Sequence, residues 1–214
     1  MSYGAGSLCA VFAIPGGVLK RSFDIVISLA GLIFLSPVFL IISALIKAED
    51  SGPILYKGTR VGLNGKEFKM FKFRTMVVNA DKIGGPSTAD DDSRITHIGR
   101  FLRKYKLDEI PQMINVFRGE MSIVGPRPEV PFYVNMFTAE EKKILTVRPG
   151  ITDWASLWNH DEGAVLAGSP DPEKTYMEKI RPEKIRLQMK YVDERSFWAD
   201  LKIIAMTAAK LLKR

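Results

Sequence analysis

The sequence predicts a mostly helical α+β protein with a re-entrant membrane helix hairpin, amphipathic interfacial helices and a small β-hairpin, that is, a monotopic membrane protein. Three observations lead to this fold class. An uncharged run of 22 residues fills positions 25–46. An Asn-Gly pair at positions 64–65 separates two segments of strand-forming residues. The C-terminal segment repeats apolar residues at helical spacing and ends in basic residues.

The uncharged run is long enough to meet a bilayer, since a helix of its length reaches about 33 Å. Pro37 lies in its middle and cannot donate to the carbonyl of Ile33, so we expect a kink there. The hydroxyl of Ser36 can bond a freed carbonyl in the preceding turn. Basic residues flank the run on both sides, with Lys20 and Arg21 before it. This symmetry favours a re-entrant hairpin, and a kinked spanning helix is the alternative.

Strands are predicted after the membrane run. Residues 54–56 read as a short strand, and residues 60–76 read as a hairpin that turns at the Asn-Gly pair. The alternation of apolar and polar residues slips at Met70 and Phe71, which predicts a β-bulge.

Residues 79–93 are polar and rich in Gly, Pro and Asp, which predicts a mobile loop. Its three consecutive acidic residues, Asp90 to Asp92, favour a solvated loop over a metal site. Amphipathic helices beyond the loop suit a membrane interface, although a solvated basic face also explains the first of them. Helices are predicted at residues 96–104, 109–117, 174–191 and 197–214.

Composition narrows the function. One cysteine and two histidines exclude a disulfide framework, a cysteine-based zinc site and a histidine cluster. The formal net charge of +7 favours an anionic partner: nucleic acid, a membrane surface or a phosphorylated substrate. The glycine-rich phosphate-binding motifs G-x-x-x-x-G-K-S/T and G-x-G-x-x-G do not occur, and no nucleic-acid-binding module is recognised.

The segment KLDEIPQ places two adjacent carboxylates, Asp108 and Glu109, just after basic residues that include Arg103. Asp108 suits the N-cap of a helix that begins at Glu109, with Pro111 in the first turn. A carboxylate at that position could also bind Mg²⁺ and attack a phosphoryl group. The spacing alone favours the cap.

Two arginines are held by prolines. Arg127 lies in GPRPE and Arg148 precedes Pro149. A fixed guanidinium suits bidentate binding of a phosphate. A structural salt bridge explains each arginine equally well.

These segments together resemble the catalytic domain of the small monotopic phosphoglycosyl transferases in the bacterial sugar transferase family. The matching stretches are KRSFDIVISLAGLIFLSP, FKMFKFRTM, RFLRKYKLDEIPQMINVFRGEMSIVGPRPE and VRPGIT. The resemblance implies an N-terminal extension at 1–19, a re-entrant membrane helix at 20–47 and a cytoplasmic catalytic domain at 48–214. It also implies a location at the cytoplasmic face of the bacterial inner membrane.

The resemblance implies a reaction in which a sugar-1-phosphate passes from a UDP-sugar to polyprenyl (undecaprenyl) phosphate, releasing UMP and initiating exopolysaccharide or another surface glycan. Asp108 would be the nucleophile, forming a covalent phosphosugar intermediate, and would contact Mg²⁺, while Glu109 would assist. Membrane lipid is a further implied partner. We expect no nucleic acid partner, and homo-oligomer formation is left open.

The resemblance also assigns binding positions. Ser36 and Pro37 would break the membrane helix, and Lys20 and Arg21 would meet lipid headgroups. The implied substrate-binding residues are Arg74, Arg103, Arg127, Glu129, Arg148 and Pro149.

One stretch departs from the family pattern. Many members follow RPGIT with glycine and later glutamine, whereas this chain has Asp153 and Ser156. Donor specificity is therefore not carried over. The alternatives to a transferase are a non-catalytic membrane scaffold and a basic nucleic-acid-binding protein.

Overall fold

The computed structural model describes residues 17–83, 88–159 and 161–212. Most of the predicted N-terminal extension and residues 84–87 of the predicted mobile loop lie outside these ranges. The helices are α1 (Gly17–Phe34), α2 (Ser36–Glu49), α3 (His97–Lys104), α4 (Gln112–Arg118), α5 (Pro131–Val134), α6 (Trp154–Trp158), α7 (Glu162–Leu166), α8 (Pro172–Thr175), α9 (Arg181–Glu194) and α10 (Phe197–Leu212). The strands are β1 (Leu55–Val61), β2 (Glu67–Phe73), β3 (Ser122–Val124) and β4 (Gly150–Thr152).

Helices α1 and α2 together form the apolar segment, and they are bent by 59° where they meet. Neither helix is long and apolar enough to cross a membrane, whereas the bent pair is by length and composition. The Ser36 hydroxyl donates to the carbonyl of Ile33 at 2.8 Å, and Pro37 occupies the first turn of α2. The predicted helix break and its hydroxyl bond are therefore confirmed.

One side of α1 is polar and attaches the helix to the rest of the protein. Lys20 donates to the carbonyl of Val124 at 2.9 Å and forms an ion pair with Asp200 on α10. Arg21 donates to two carbonyls at the end of α4, at 2.7 and 2.9 Å. Asp24 is buried and accepts from the backbone N–H of Ile123 at 3.0 Å.

Strands β1 and β2 form an antiparallel hairpin with a continuous register from Leu55↔Phe73 to Val61↔Glu67. The Asn-Gly turn is confirmed, since Asn64 and Gly65 both have positive φ angles, of 56° and 74°. The first strand is longer than predicted, because residues 55–56 and 60–61 belong to one strand rather than two elements.

The bulge predicted at Met70 and Phe71 is wrong, because the pairing runs through both residues without interruption. Met70 packs in the main core, while the Phe71 ring faces the other side of the strand, 5.1 Å from the Arg118 guanidinium carbon. Asn115 of α4 also bonds the backbone of β2, accepting from Phe71 at 2.9 Å. Apolar residues adjoin in the sequence because both faces of β2 are covered.

Strands β3 and β4 pair in parallel and bring two proline-containing loops together. Gly125 and Gly150 lie back to back at the end of this pair. A Cβ atom added to Gly150 would stand 2.0 Å from the backbone nitrogen of Gly125, so only glycine allows this approach. The close packing fixes where the loop after β3 emerges.

The C-terminal region is helical, as predicted. The helix predicted at 174–191 is divided into α8, a π-helical turn at Tyr176–Ile180 and α9. Helix α10 docks through Asp200 and Ile203, which are 4% and 0% exposed, whereas Trp198 of the expected apolar face is 78% exposed. The exposed Trp198 agrees with the expectation that the apolar side of α10 is free to lie on a membrane surface, and contact with lipid stays a prediction.

Candidate active site

Asp108 lies in a 3₁₀ turn, Leu107–Glu109, that precedes α4. Lys106 starts the turn in the left-handed region, with φ of 56°. The residue that precedes α4 is Pro111, and no side chain caps that helix, so the predicted N-cap role of Asp108 is wrong. Asp108 lies one turn too early to reach the first N–H groups of α4. Its side chain is buried, and its Oδ1 atom has no hydrogen-bond partner among the described residues.

Glu109 is held by two cations from other parts of the chain. Lys72 of β2 donates to its Oε1 atom at 2.8 Å. Arg127 of the loop after β3 bonds both of its carboxylate oxygens, Nη1 lying 3.2 Å from Oε2. Lys72 also stands 3.8 Å from Oδ2 of Asp108. One lysine therefore faces both carboxylates.

The two neighbouring carboxyl groups have pKa values that move in opposite directions. Burial raises the pKa of Asp108, and the charge of Glu109 adds to that effect against the attraction of Lys72. Burial would also raise the pKa of Glu109, but the charges and hydrogen bonds of Arg127 and Lys72 outweigh it and hold the pKa well below its usual range. Such divergence between adjacent carboxyls is typical of sites where each has its own task.

These groups line a cavity of about 740 Å³. Its wall carries cations as well as carboxylates, and Nη1 of Arg103 is buried without a partner among the described residues. A cavity of this size and charge suits a phosphorylated ligand. Its charged lining residues are Arg60, Lys72, Asp90, Arg100, Arg103, Lys104, Lys106, Asp108, Glu109, Arg127, Glu129, Asp161, Glu162, Lys184 and Lys210.

Residues 16–214 match the family described as bacterial sugar transferase. The chain belongs to that family. The exopolysaccharide production protein ExoY of Sinorhizobium fredii is 38% identical over 207 residues, covering 90% of this chain and 84% of that protein. The uncharacterized sugar transferase EpsL of Bacillus subtilis is 36% identical, covering 91% of this chain and 88% of EpsL.

Longer proteins are similar too. The UDP-glucose:undecaprenyl-phosphate glucose-1-phosphate transferase of Escherichia coli K12 is 37% identical over 90% of this chain, which corresponds to 40% of that enzyme. The resemblance stated from the sequence is confirmed, and this sugar transferase is an enzyme of the sugar-1-phosphate transferase class.

The transferase brings some of the sequence-predicted residues together and not others. Asp108, Glu109, Arg103, Arg127 and Glu129 all line the cavity. The remaining substrate-binding candidates, Arg74, Arg148 and Pro149, do not line it.

Arg74, Arg148 and Pro149 make contacts within the fold. Arg74 is buried and pairs through two nitrogens with Asp50 at the end of α2. Arg148 donates to the carbonyl of Gly119 at 3.0 Å. The carbonyl of Pro149 accepts from Ser122 at 2.8 Å. Lys20 and Arg21 likewise donate to protein groups, and contact with headgroups stays a prediction.

Sequence reasoning missed several groups in the site. Lys72 lies two residues from the buried Met70 on the same side of β2, so strand alternation could have drawn attention to it. Lys184 gave no such signal within the charged α9 segment. Its ammonium is buried between the carboxylates of Glu129 and Glu162, at 2.7 and 2.9 Å.

The acidic residues of the loop have separate partners. Asp92 pairs with Arg94, and Asp91 accepts from the backbone of Gly168 at 3.1 Å. Asp90 lines the cavity. No group of three or more His, Cys, Asp or Glu side chains suited to a metal ion occurs among the residues that the structure describes.

Proposed function

We propose that this enzyme transfers a sugar-1-phosphate from a UDP-sugar to polyprenyl phosphate and releases UMP. Relatives that are 34–37% identical carry names for this reaction with UDP-glucose and UDP-N-acetylgalactosamine as donors. The observation that carries the proposal is the buried Oδ1 atom of Asp108, which has no hydrogen-bond partner in the part of the chain that the structure describes and belongs to a residue that lines a cationic cavity.

Asp108 is the proposed nucleophile. Its Oδ1 atom forms a bond to the phosphorus that bears the sugar, and the bond from that phosphorus to the UMP oxygen breaks with its electron pair. An oxygen of polyprenyl phosphate then attacks the same phosphorus and displaces the carboxylate. The products are UMP and a polyprenyl diphosphate sugar. Two successive displacements let a soluble donor and a lipid acceptor use the same site in turn.

The surrounding cations make this attack feasible, because an anionic nucleophile and two phosphorylated substrates repel one another. Lys72 lies 3.8 Å from the Asp108 carboxylate, and its positive charge opposes the rise in the pKa of Asp108 that burial causes. The Nη1 atom of Arg103, which has no partner among the described residues, is available to a substrate phosphate. Glu109 is occupied by Arg127 and Lys72, so it orients these cations rather than attacking.

The residues present fit Mg²⁺. This ion takes hard oxygen ligands and is commonly held by one or two carboxylates together with substrate phosphates. With Oδ1 of Asp108 as the attacking atom, Oδ2 of the same carboxylate would supply one such oxygen, and substrate phosphates would supply the others. When bound, Mg²⁺ would neutralise charge on the diphosphate.

We also propose that α1 and α2 enter the cytoplasmic leaflet of the bacterial inner membrane and return to the same face. The 59° bend and the apolar side chains exposed along both helices support this arrangement. The polar side of α1 is bonded to the catalytic part of the chain, so the remaining sides are free for lipid. The hydroxyl bond of Ser36 makes the break tolerable in an apolar medium.

The test is release of UMP from a panel of UDP-sugars by protein in nanodiscs with Mg²⁺ and undecaprenyl phosphate. We expect release from a restricted set of donors, and loss of release in Asp108→Asn. Full activity in that variant would reject Asp108 as the nucleophile. No release from any donor by the folded wild type would reject the reaction.

A second experiment tests the covalent step. Protein is mixed with a UDP-sugar labelled at the β-phosphorus, without acceptor, and is then denatured. We expect label on the wild-type protein that polyprenyl phosphate discharges, and none on Asp108→Asn. Transfer without labelled protein would indicate direct displacement and overturn the covalent mechanism.

A further inference from the structure

Two side chains hold the backbone of Arg127: one bonds its N–H group and the other bonds its carbonyl group. Its N–H donates to Oδ2 of Asp153 at 3.2 Å. Its carbonyl accepts from Nε2 of Gln188, on α9, also at 3.2 Å. Both side chains belong to residues with 0% exposure. Two fully buried polar groups from distant parts of the chain therefore meet at one arginine.

Asp153 divides its two oxygens between two tasks. Oδ1 accepts from the backbone N–H of Ser156 at 2.7 Å and caps α6, while Oδ2 accepts from Arg127. An ionised carboxylate can accept at both oxygens at once. An asparagine has only one acceptor oxygen, so it cannot serve both N–H groups.

Capping alone does not explain this burial. The caps of α7 and α8, Asp161 and Asp171, also accept from a backbone N–H at the start of a helix. Asp171 lies at the surface, where a cap costs little desolvation. Burying a carboxylate completely is expensive unless its bonds are needed, and burial raises the pKa of Asp153. The bond to Arg127 is the second use that the surface cap lacks.

The Arg127 loop has few other freedoms. Pro126 and Pro128 fix the φ angles on either side of the arginine. The carbonyl of Pro126 accepts from Gly150 at 3.0 Å, which ties the loop to the start of β4. With these restraints, the bonds from Asp153 and Gln188 determine the position of the Arg127 backbone, from which the arginine side chain extends.

We propose that Asp153 and Gln188 are positioning residues that hold Arg127 in place to bind Glu109 and the donor phosphates. This inference rests on the proposed function. Arg127 makes two bonds to Glu109, so a displaced backbone would loosen that pair. Small misplacements of such groups can cost about 100-fold in rate.

The variants are Asp153→Asn and Gln188→Met, with Asp171→Asn as the matched cap control. Each is purified in nanodiscs and assayed for kcat and KM of the donor. We expect both test variants to lose about tenfold or more in kcat/KM. Asp171→Asn should keep the wild-type kcat/KM.

A double variant shows whether the effect passes through Arg127. In an Arg127→Lys background, Asp153→Asn should cost little more, because the contact that it protects is already lost. Additive losses, or test variants that match Asp171→Asn in kcat/KM, would overturn the inference while the proposed function stands.

Amide hydrogen exchange tests whether Asp153 restrains the Arg127 loop, and it requires no catalytic turnover. Asp153→Asn should speed exchange across residues 125–130, and Asp171→Asn should not. Unchanged exchange in Asp153→Asn would refute the positioning role. If the wild type transfers no sugar, the proposed function fails, and this measurement still decides whether Asp153 restrains Arg127.

Discussion

Arg127 and Glu109 are joined by two hydrogen bonds, although 18 positions separate them in the chain. The pair leaves Asp108 as the less compensated of two adjacent carboxylates. Arg127 and Lys72 lower the pKa of Glu109, whereas burial raises the pKa of Asp108. The site therefore places a carboxylate that is paired with two cations beside a carboxylate whose Oδ1 atom has no hydrogen-bond partner among the described residues.

Asp108→Asn should abolish transfer without lowering stability. The pKa of Asp108 is raised in the folded state, so its ionised form disfavours folding once the pH exceeds its ordinary pKa. At pH 7.5 the neutral amide should leave the melting temperature unchanged or higher. Thermal melting and UMP release on the same preparation check this. An inactive variant that melts well below the wild type would contradict the prediction.

Glu109→Gln should destabilise the protein. Because the pKa of Glu109 is lowered, its ionised form stabilises the fold above its ordinary pKa, and that contribution is lost as the pH falls through the lowered value. Removing one partner of a buried pair costs about 3 kcal/mol in the free energy of unfolding. The control is Glu183→Gln, since Glu183 pairs with Arg186 at the surface and should matter little. Equal melting of the two variants would disprove the prediction.

Lys72→Met should shift the acidic limb of the pH–rate profile of kcat/KM to higher pH. Lys72 opposes the rise in the pKa of Asp108, and without it a larger fraction of Asp108 is protonated at pH 7. Activity should therefore recover partly as the pH rises. Lys69→Met serves as the control, because Lys69 lies on the opposite side of β2 and bonds Thr59. A uniform loss at every pH would argue against this role.

Cys9 offers a direct probe of the arrangement in the membrane, since it is the only cysteine of the chain. In intact cells a membrane-impermeant maleimide should leave it unmodified, whereas inverted vesicles should allow labelling. Pro37→Ala restores a backbone N–H opposite the carbonyl of Ile33 and should straighten the 59° bend, so labelling from outside should rise. Labelling of the wild type from outside would show a spanning helix.

Gly150→Ala should disrupt the site through the backbone. The added Cβ would stand 2.0 Å from the nitrogen of Gly125, a backbone atom that directly follows β3. Gly31→Ala makes a similar overlap, 2.4 Å from Sδ of Met113, but that flexible side chain can move. We expect loss of transfer and a lower melting temperature only in Gly150→Ala. Comparable behaviour of both variants would refute the argument.

Local chemistry allowed part of the fold to be predicted. The helix break at Ser36 and Pro37 and the turn at Asn64 and Gly65 follow from missing donors and allowed φ angles, which depend on neighbours in the sequence. The bulge predicted at Met70 and Phe71 is wrong, because Arg118 of α4, more than 40 positions away, covers the Phe71 ring on the second face of β2.

The active site could also be predicted only in part from the sequence. The motifs identified Asp108, Glu109 and Arg127, and the structure places all three at one cavity. The spacing could not show that Lys72 completes the group, since only the hairpin carries it there. Arg74 also lies in a stretch that resembles the family, FKMFKFRTM, but it pairs with Asp50 and does not line the cavity. Which arginine reaches the cavity depends on tertiary packing rather than on local residue type.

The polar attachment of α1 fixes the distance between the apolar segment and the active site. Lys20, Arg21 and Asp24 fasten the helix to β3, α4 and α10, so the apolar segment and the catalytic part move as one body. With α1 in the bilayer as proposed, Asp108 stays at a constant depth relative to the lipid phosphates. The acceptor then needs only to diffuse sideways to reach the nucleophile, and no stroke of the protein is required to lift it from the leaflet.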